Sequence, residues 1–284
     1  MPGLLEAMDA AVASAEKGED FGPPSMPPPA PPPATAPWEG SGVAGAKPID
    51  YKEVQQWLLQ LPLDEEALGL MREQEVTETS CCMARRRRAT DVRGLDRSLC
   101  RDKDFVLSLS ATKYNLAEDI HIRMLRTAYC ELTRSSSCPD YGSHWEAIGF
   151  QSADPCSDLN RSGGLLNVLH FFYFFSHYPE TARAAAELAR DPQQNFPLAC
   201  ISINVTDIVI RSLLAGRLSK LCNSAQHGVL ESTCQLHAGA MCHFVSRWRS
   251  LSRTIRDTEA ALSEVRQLAT RNPARLLEAL QPSR

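Results

Sequence analysis

Between Gly163 and Phe175 the chain reads GGLLNVLHFFYFF, a run in which only Asn167 and His170 are polar. Aliphatic and aromatic side chains in such succession have to leave water, since burying each is worth about 1.5–3 kcal/mol. The run falls well short of the ~20 apolar residues that cross a bilayer. It is read as a buried helix in a soluble protein with no transmembrane segment.

The chain around it supplies helices to enclose that run. DYKEVQQWLLQL places Asp50 as a cap and Val54, Trp57, Leu58 and Leu61 at helical spacing, with Pro62 as the stop. Phe105, Val106 and Leu109 mark a short helix. Ile120, Met124, Leu125, Tyr129 and Leu132 form another apolar stripe, closed by the SSSCPDYGS turn. PETARAAAELAR starts on Pro179, a favoured first helical residue. NFPLACISINVTDIVIRSLLAG is rich in β-branched residues, yet Leu198, Ile201, Val205, Ile208, Val209 and Leu213 keep a three-four period. Pro197 and Gly216 flank it, so it is assigned as a helix. Further helices are expected around CQLHAGAMCHFVSRWRSL, in DTEAALSEVRQLAT, and in NPARLLEALQ with Asn272 and Pro273 as cap and first turn. No strand-turn-strand signal, repeat or lasting heptad occurs. The fold class is all-α, a multi-helix globular domain.

The chain divides into three regions. Residues 1–48 are expected to be a disordered, proline-rich arm, with nine prolines between Pro23 and Pro37. The tract reads as a spacer, or alternatively as a docking strip for an SH3 or WW domain. Residues 49–100 are a helical and linker extension carrying the Arg85–Arg88 run, read as a solvated linker rather than an import signal. Residues 101–284 form the main domain.

Net charge is −4 and the isoelectric point about 6.0, so no global field favours nucleic acid or an anionic membrane. Ten scattered cysteines without a C-x-x-C pair, and an acidic N-terminus without a basic leader, point to reduced thiols in a cytosolic or nuclear setting, read as cytoplasmic. There is no phosphate loop, dinucleotide-binding glycine motif, G-x-S-x-G elbow or H-E-x-x-H helix. Cys234, His237, Cys242 and His243 lie within ten residues, but no second cluster completes a metal set, so no metal site is assigned.

The segment WEAIGFQSADPCSDLNRSGGLLNVLHFFY, Trp145 to Tyr173, is the chemically richest. Trp145 and Phe150 can anchor a turn in which Gly149 bends the backbone and Gln151 bonds the following loop. Pro155, Ser157 and Asp158 are turn and capping types. Asp158 is suited to accept backbone N–H groups or to hold an arginine by a bidentate pair. Arg161 then stands at the mouth of the apolar helix, and Gly163 and Gly164 would let another surface approach closely. Residue chemistry alone makes this a helix start with Arg161 solvated.

The same residues resemble the signature of the ELMO (engulfment and cell motility) domain family, W-x3-G-F-Q-x3-P-x-[ST]-D-[FL]-R-G-x-G-x-L. Trp145, Gly149, Phe150, Gln151, Pro155, Ser157, Asp158 and Leu159 match in register. The similarity extends over roughly residues 100 to 280, making 101–284 an ELMO domain. The pattern most resembles the short ELMO domain-containing (ELMOD) branch, in particular its third member. The resemblance implies a GTPase-activating protein for Arf or Arf-like small GTPases, working in the cytoplasm or peripherally at membranes or cytoskeleton. Such a protein regulates an enzyme and needs no substrate pocket or cofactor of its own, because GTP and Mg²⁺ belong to the partner. Arg161 would be the arginine finger and Asp158 its positioner, with Trp145, Gly149, Gln151, Pro155, Asn160, Gly163 and Gly164 in support. The family alternative is a non-catalytic adaptor in small-GTPase signalling, membrane traffic or actin remodelling. The PH-like region and armadillo-type repeats of the larger adaptors have no counterpart in this sequence.

One departure stands inside the motif. The family has Asp, an apolar residue, then Arg; this chain has Asp158-Leu159-Asn160-Arg161. Alignment on the downstream helix makes Asn160 an insertion and keeps Arg161 in place. Alignment from upstream puts Asn160 at the finger position instead.

Overall fold

A computed structural model of the chain describes residues 47–69, 71–72 and 94–281, most of which are helical, with no strand among them. The proline-rich tract and the Arg85–Arg88 run lie outside the described residues.

The apolar run forms the central helix, Gly164–His177, and every residue from Gly164 to Phe175 is buried. Its neighbours are the helices Cys100–Ala111, Asp119–Thr133, Pro179–Ala189, Leu198–Leu214 and Val229–Ser250. Pro179 opens its helix, in line with the sequence. Pro197 and Gly216, the latter at φ +66°, flank the β-branched segment, and that segment is helical throughout. Three-four spacing lets every turn of it bury a side chain, which outweighs weak helix propensity.

Thr258–Arg271 packs beside Leu198–Leu214 and Val229–Ser250. The last helix, Ala274–Glu278, starts one residue later than expected. Pro273 is its cap residue, and the Asn272 side chain makes no capping bond, although its carbonyl accepts from Arg275 N–H at 3.1 Å. Ser219–Ser224 and Pro155–Leu159 are short helices that no period announces.

Tyr51–Leu58 begins on Asp50, whose Oδ1 accepts the Glu53 N–H at 2.8 Å. The segment shares the core with the residues beyond 101. Ile49, Val54 and Leu58 are buried, and the Tyr51 ring meets Tyr173 edge-on at 5.3 Å. Arg123, buried on the Asp119–Thr133 helix, ties the segment down by bonds to Glu53 at 2.6 Å and to the Lys47 carbonyl at 2.8 Å.

Asn167 and His170, the polar residues of the central run, are buried with specific partners. His170 Nδ1 meets Thr206 Oγ1 at 3.1 Å, and its ring stacks 4.9 Å from that of His237. His237 Nε2 in turn meets Ser202 Oγ at 3.0 Å.

Candidate functional site

Trp145 sets the floor of the site. It is fully buried, its Nε1–H donates to the Asp140 carbonyl at 2.9 Å, and its ring meets Phe150 edge-on at 6.0 Å. Gly149 then turns the chain at φ +90°. A Cβ there would lie 2.2 Å from Leu198 N, so only glycine lets this turn dock on the start of the Leu198–Leu214 helix. The Gly149 carbonyl accepts the Cys200 N–H at 3.2 Å, locking the two together.

Pro155 is the buried first residue of the short helix Pro155–Leu159. Asp154 caps it, accepting the Cys156 N–H at 2.9 Å. The capping expected of Asp158 thus falls to Asp154. Asp158 sits inside the helix, 2% exposed, and reaches back instead: its Oδ2 accepts the Gln151 N–H at 2.7 Å. Its Oδ1 accepts from Arg161 Nη2 at 2.9 Å. Both roles foreseen for Asp158 are therefore combined, but the arginine pair runs through a single nitrogen rather than a bidentate fork.

Arg161 lies at the surface with its side chain 37% exposed. Nη2 also donates to Gln151 Oε1 at 3.2 Å. Both of its side-chain hydrogen bonds pass through Nη2, and Nε and Nη1 make none within the described residues. The guanidinium is steadied from below without being consumed.

Asn160 does something different. Its Oδ1 accepts the Tyr114 N–H at 2.7 Å and its Nδ2 donates to the Tyr114 carbonyl at 2.9 Å. Of the two residues left open by alignment, both are exposed and both are bonded within the chain, Arg161 to Asp158 and Gln151 and Asn160 to Tyr114.

The space at the two glycines is also taken by the chain itself. A Cβ on Gly164 would lie 2.1 Å from the Thr112 carbonyl oxygen, and one on Gly163 would lie 2.7 Å from Asn167 Oδ1. Both residues have positive φ, +43° and +78°. The sequence has them admit another surface; instead they admit Thr112 and Asn167, because the central helix has to start hard against its neighbours. Asn167 Nδ2 donates to the carbonyls of Leu159, at 2.8 Å, and Ser162. Tyr114, Thr112 and Asn167 complete the site and lie outside the motif as read from sequence. Only Asn167 carries a signal, as a polar residue inside an apolar run.

Two thiols flank the carboxylates. Burial pushes Cys200 up to about 12, with Asp158 raising it further and Arg161 opposing. Burial, helped by the Asp154 carboxylate, pushes Cys156 up to about 11. Neither is a thiolate nucleophile near neutral pH. A hollow of about 390 Å³ opens beside Gly149 and Phe150, bordered also by Glu146, Arg190, Phe196 and Ile255. Cys234 and His237 are fully buried in the helical interior, and Cys242 borders a groove with Tyr178 and Arg249.

A family model described as the ELMO/CED-12 family matches residues 104–262, more than half of the chain. The chain belongs to the ELMO/CED-12 family. It is 35% identical to ELMO domain-containing protein 3 of Homo sapiens over 190 residues, covering 66% of this chain and 49% of that protein. Identity to ELMO domain-containing protein 2 of Mus musculus is 32%, over 27% of this chain and 26% of that protein. It is also 31% identical to "Ankyrin repeat and ELMO domain-containing protein D" of Dictyostelium discoideum, over 36% of this chain and 8% of that protein. The longer match supports likeness to the third ELMO domain-containing member. This ELMO chain spans about half the length of the curated relatives it matches over most of its domain. No solved structure matches it. Among the described residues, no helix is long and apolar enough to cross a membrane.

Proposed function

We propose that this ELMO-family chain stimulates GTP hydrolysis by an Arf or Arf-like small GTPase, with Arg161 as an arginine finger supplied in trans. The observation that carries the proposal is the Arg161 guanidinium, partly exposed and resting on buried Asp158 by one nitrogen, with Nε and Nη1 free of hydrogen bonds to the described residues. A planar fork so placed can donate to the oxygens of a transferring phosphoryl group, where charge accumulates in the transition state. The partner contributes GTP and Mg²⁺; this chain contributes the cation and the surface that presents it.

Magnitudes favour this use. Arginine fingers accelerate hydrolysis about 10³–10⁵-fold, or upward of about 4 kcal/mol of barrier. The half-exposed tie between Arg161 and Asp158 is worth roughly 1 kcal/mol, and Asp158 keeps its bond from Gln151 if the arginine moves.

The test is single-turnover hydrolysis by GTP-loaded Arf-family proteins with and without the chain. Arg161→Ala abolishes stimulation while folding stays intact, and Arg161→Lys fails as well because lysine lacks the fork. Equal stimulation by wild type and Arg161→Ala overturns the finger. The open hollow beside Gly149 and Phe150 favours one other reading, a non-catalytic adaptor that docks a signalling partner there. In that case GTPase binding survives Arg161→Ala, and neither wild type nor variant accelerates hydrolysis.

A further inference from the structure

Asn160 is exposed, yet both polar atoms of its side chain are engaged with one distant residue. Oδ1 accepts from the Tyr114 N–H at 2.7 Å and Nδ2 donates to the Tyr114 carbonyl at 2.9 Å. A side-chain amide paired with both backbone groups of another residue fixes distance and rotation together. The anchor is firm, because Tyr114 is 2% exposed and stacks on His121 at 5.6 Å. The adjoining Asn115 N–H donates to His121 Nδ1 at 3.2 Å. On the other flank, buried Asn167 holds the carbonyls of Leu159 and Ser162. Arg161 is carried between these two clamps.

The geometry points to Asn160 as a positioning residue: its bracket on Tyr114 fixes the turn before Arg161 and so sets where the Arg161 guanidinium is held. The inference rests on the reading of Arg161 as the group offered to a GTPase. A turn between two helical segments lets the residues after it rotate unless something fixes it. A displacement of about 1 Å in a catalytic group costs on the order of 10²-fold in rate. Asn160 touches no substrate in this scheme; it acts through Arg161.

The experiment uses the full chain carrying Asn160→Ala, with three readouts. These are hydrogen exchange at the Tyr114 amide, ¹⁵N relaxation of the Arg161 Nε–H, and single-turnover hydrolysis by a GTP-loaded Arf-family GTPase. The expected result is faster exchange at Tyr114, a lower order parameter at Arg161, and a maximal stimulated rate reduced about 10- to 100-fold. The half-saturating concentration of the chain should move less than about twofold, because a positioning defect acts on the transition state rather than on docking. Faster Tyr114 exchange with unchanged Arg161 order and rate overturns the inference, since the bracket would then be merely structural. Loss of Arg161 order in a system where even wild type stimulates no GTPase sustains the bracket and removes the GTPase reading. Asn160→Asp keeps the acceptor and loses the donor, and serves if Asn160→Ala does not fold. It should give intermediate Arg161 order, and an unchanged value there overturns the inference equally.

Discussion

Gly164 lies so close to Thr112 that a Cβ on it would come within 2.1 Å of the Thr112 carbonyl oxygen, which already accepts the Leu165 N–H at 2.8 Å. The contact joins the end of the Cys100–Ala111 helix to the start of the central helix, three residues after Arg161. Backbone cannot swing aside as a flexible side chain could. Gly164→Ala should therefore cost about 3 kcal/mol or more, combining strain at positive φ with overpacking. At Gly94 a Cβ meets nothing within 4 Å, so Gly94→Ala should stay within about 0.5 kcal/mol. Urea denaturation of the two variants checks the contrast. Equal midpoints would mean that the Thr112 contact contributes nothing to stability.

Asp158→Asn separates charge from shape at the arginine's support. An asparagine oxygen can still accept the Gln151 N–H, but its amide nitrogen then faces Arg161 and no longer attracts it. Stability should change by about 1 kcal/mol, since the lost pair is half-exposed on the arginine side. Stimulated hydrolysis should fall about tenfold, less than with Arg161→Ala, as a misplaced finger outperforms a missing one. A loss as large as that of Arg161→Ala would make Asp158 more than a support.

Asn167→Ala probes the second clamp. The residue is 1% exposed, and its Nδ2 satisfies the carbonyls of Leu159 and Ser162. Truncation strips donors from the turn and opens a small void, for an expected cost of about 2–3 kcal/mol. Thermal unfolding reads the stability. Trypsin reads the turn: cleavage after Arg161 should accelerate more than cleavage after Arg211, which sits within the Leu198–Leu214 helix.

Much of the helical plan is legible because its signals are local. Asp50 caps within three residues, Pro179 starts its helix by fixing φ, and the period from Leu198 to Leu213 repeats every turn. The Trp145–Asp158 motif is legible as well, since Gln151 and Asp158 bond within seven residues of each other. The contacts that escape a sequence reading are long-range. The Asn160 bracket spans 46 residues to Tyr114, and the neighbour that requires glycine at position 164 lies at Thr112. A glycine pair in a sequence announces freedom of φ but not which surface uses the space. Asp154 takes the cap from Asp158 for a similar reason: two acidic residues stand near one helix start, and packing chooses between them.

Acid should unfold this domain partly through the stacked imidazoles of His170 and His237. Burial holds His237 down at about 3 and His170 well below its usual value, the latter also opposed by its histidine neighbour. The groups bonded to them, Thr206 and Ser202, carry no charge that could stabilise an imidazolium. In the unfolded chain both histidines titrate near about 6.5, so below that pH the unfolded state binds the protons that the folded state refuses. The stability they confer is complete above about pH 6.5 and is lost progressively as pH falls toward about 3. By pH 4.5 His237 alone should have cost roughly 3 kcal/mol, about 1.4 kcal/mol for each unit below its unfolded value. His237→Gln can still bond Ser202 but cannot take up the proton. Urea midpoints at pH 7, 5.5 and 4.5 should then show a shallower loss of stability for the variant, by close to one proton's worth of slope. Identical slopes would mean that the imidazole at 237 is protonated in the folded domain, and that the pair is wetter than its burial and its stacking at 4.9 Å indicate.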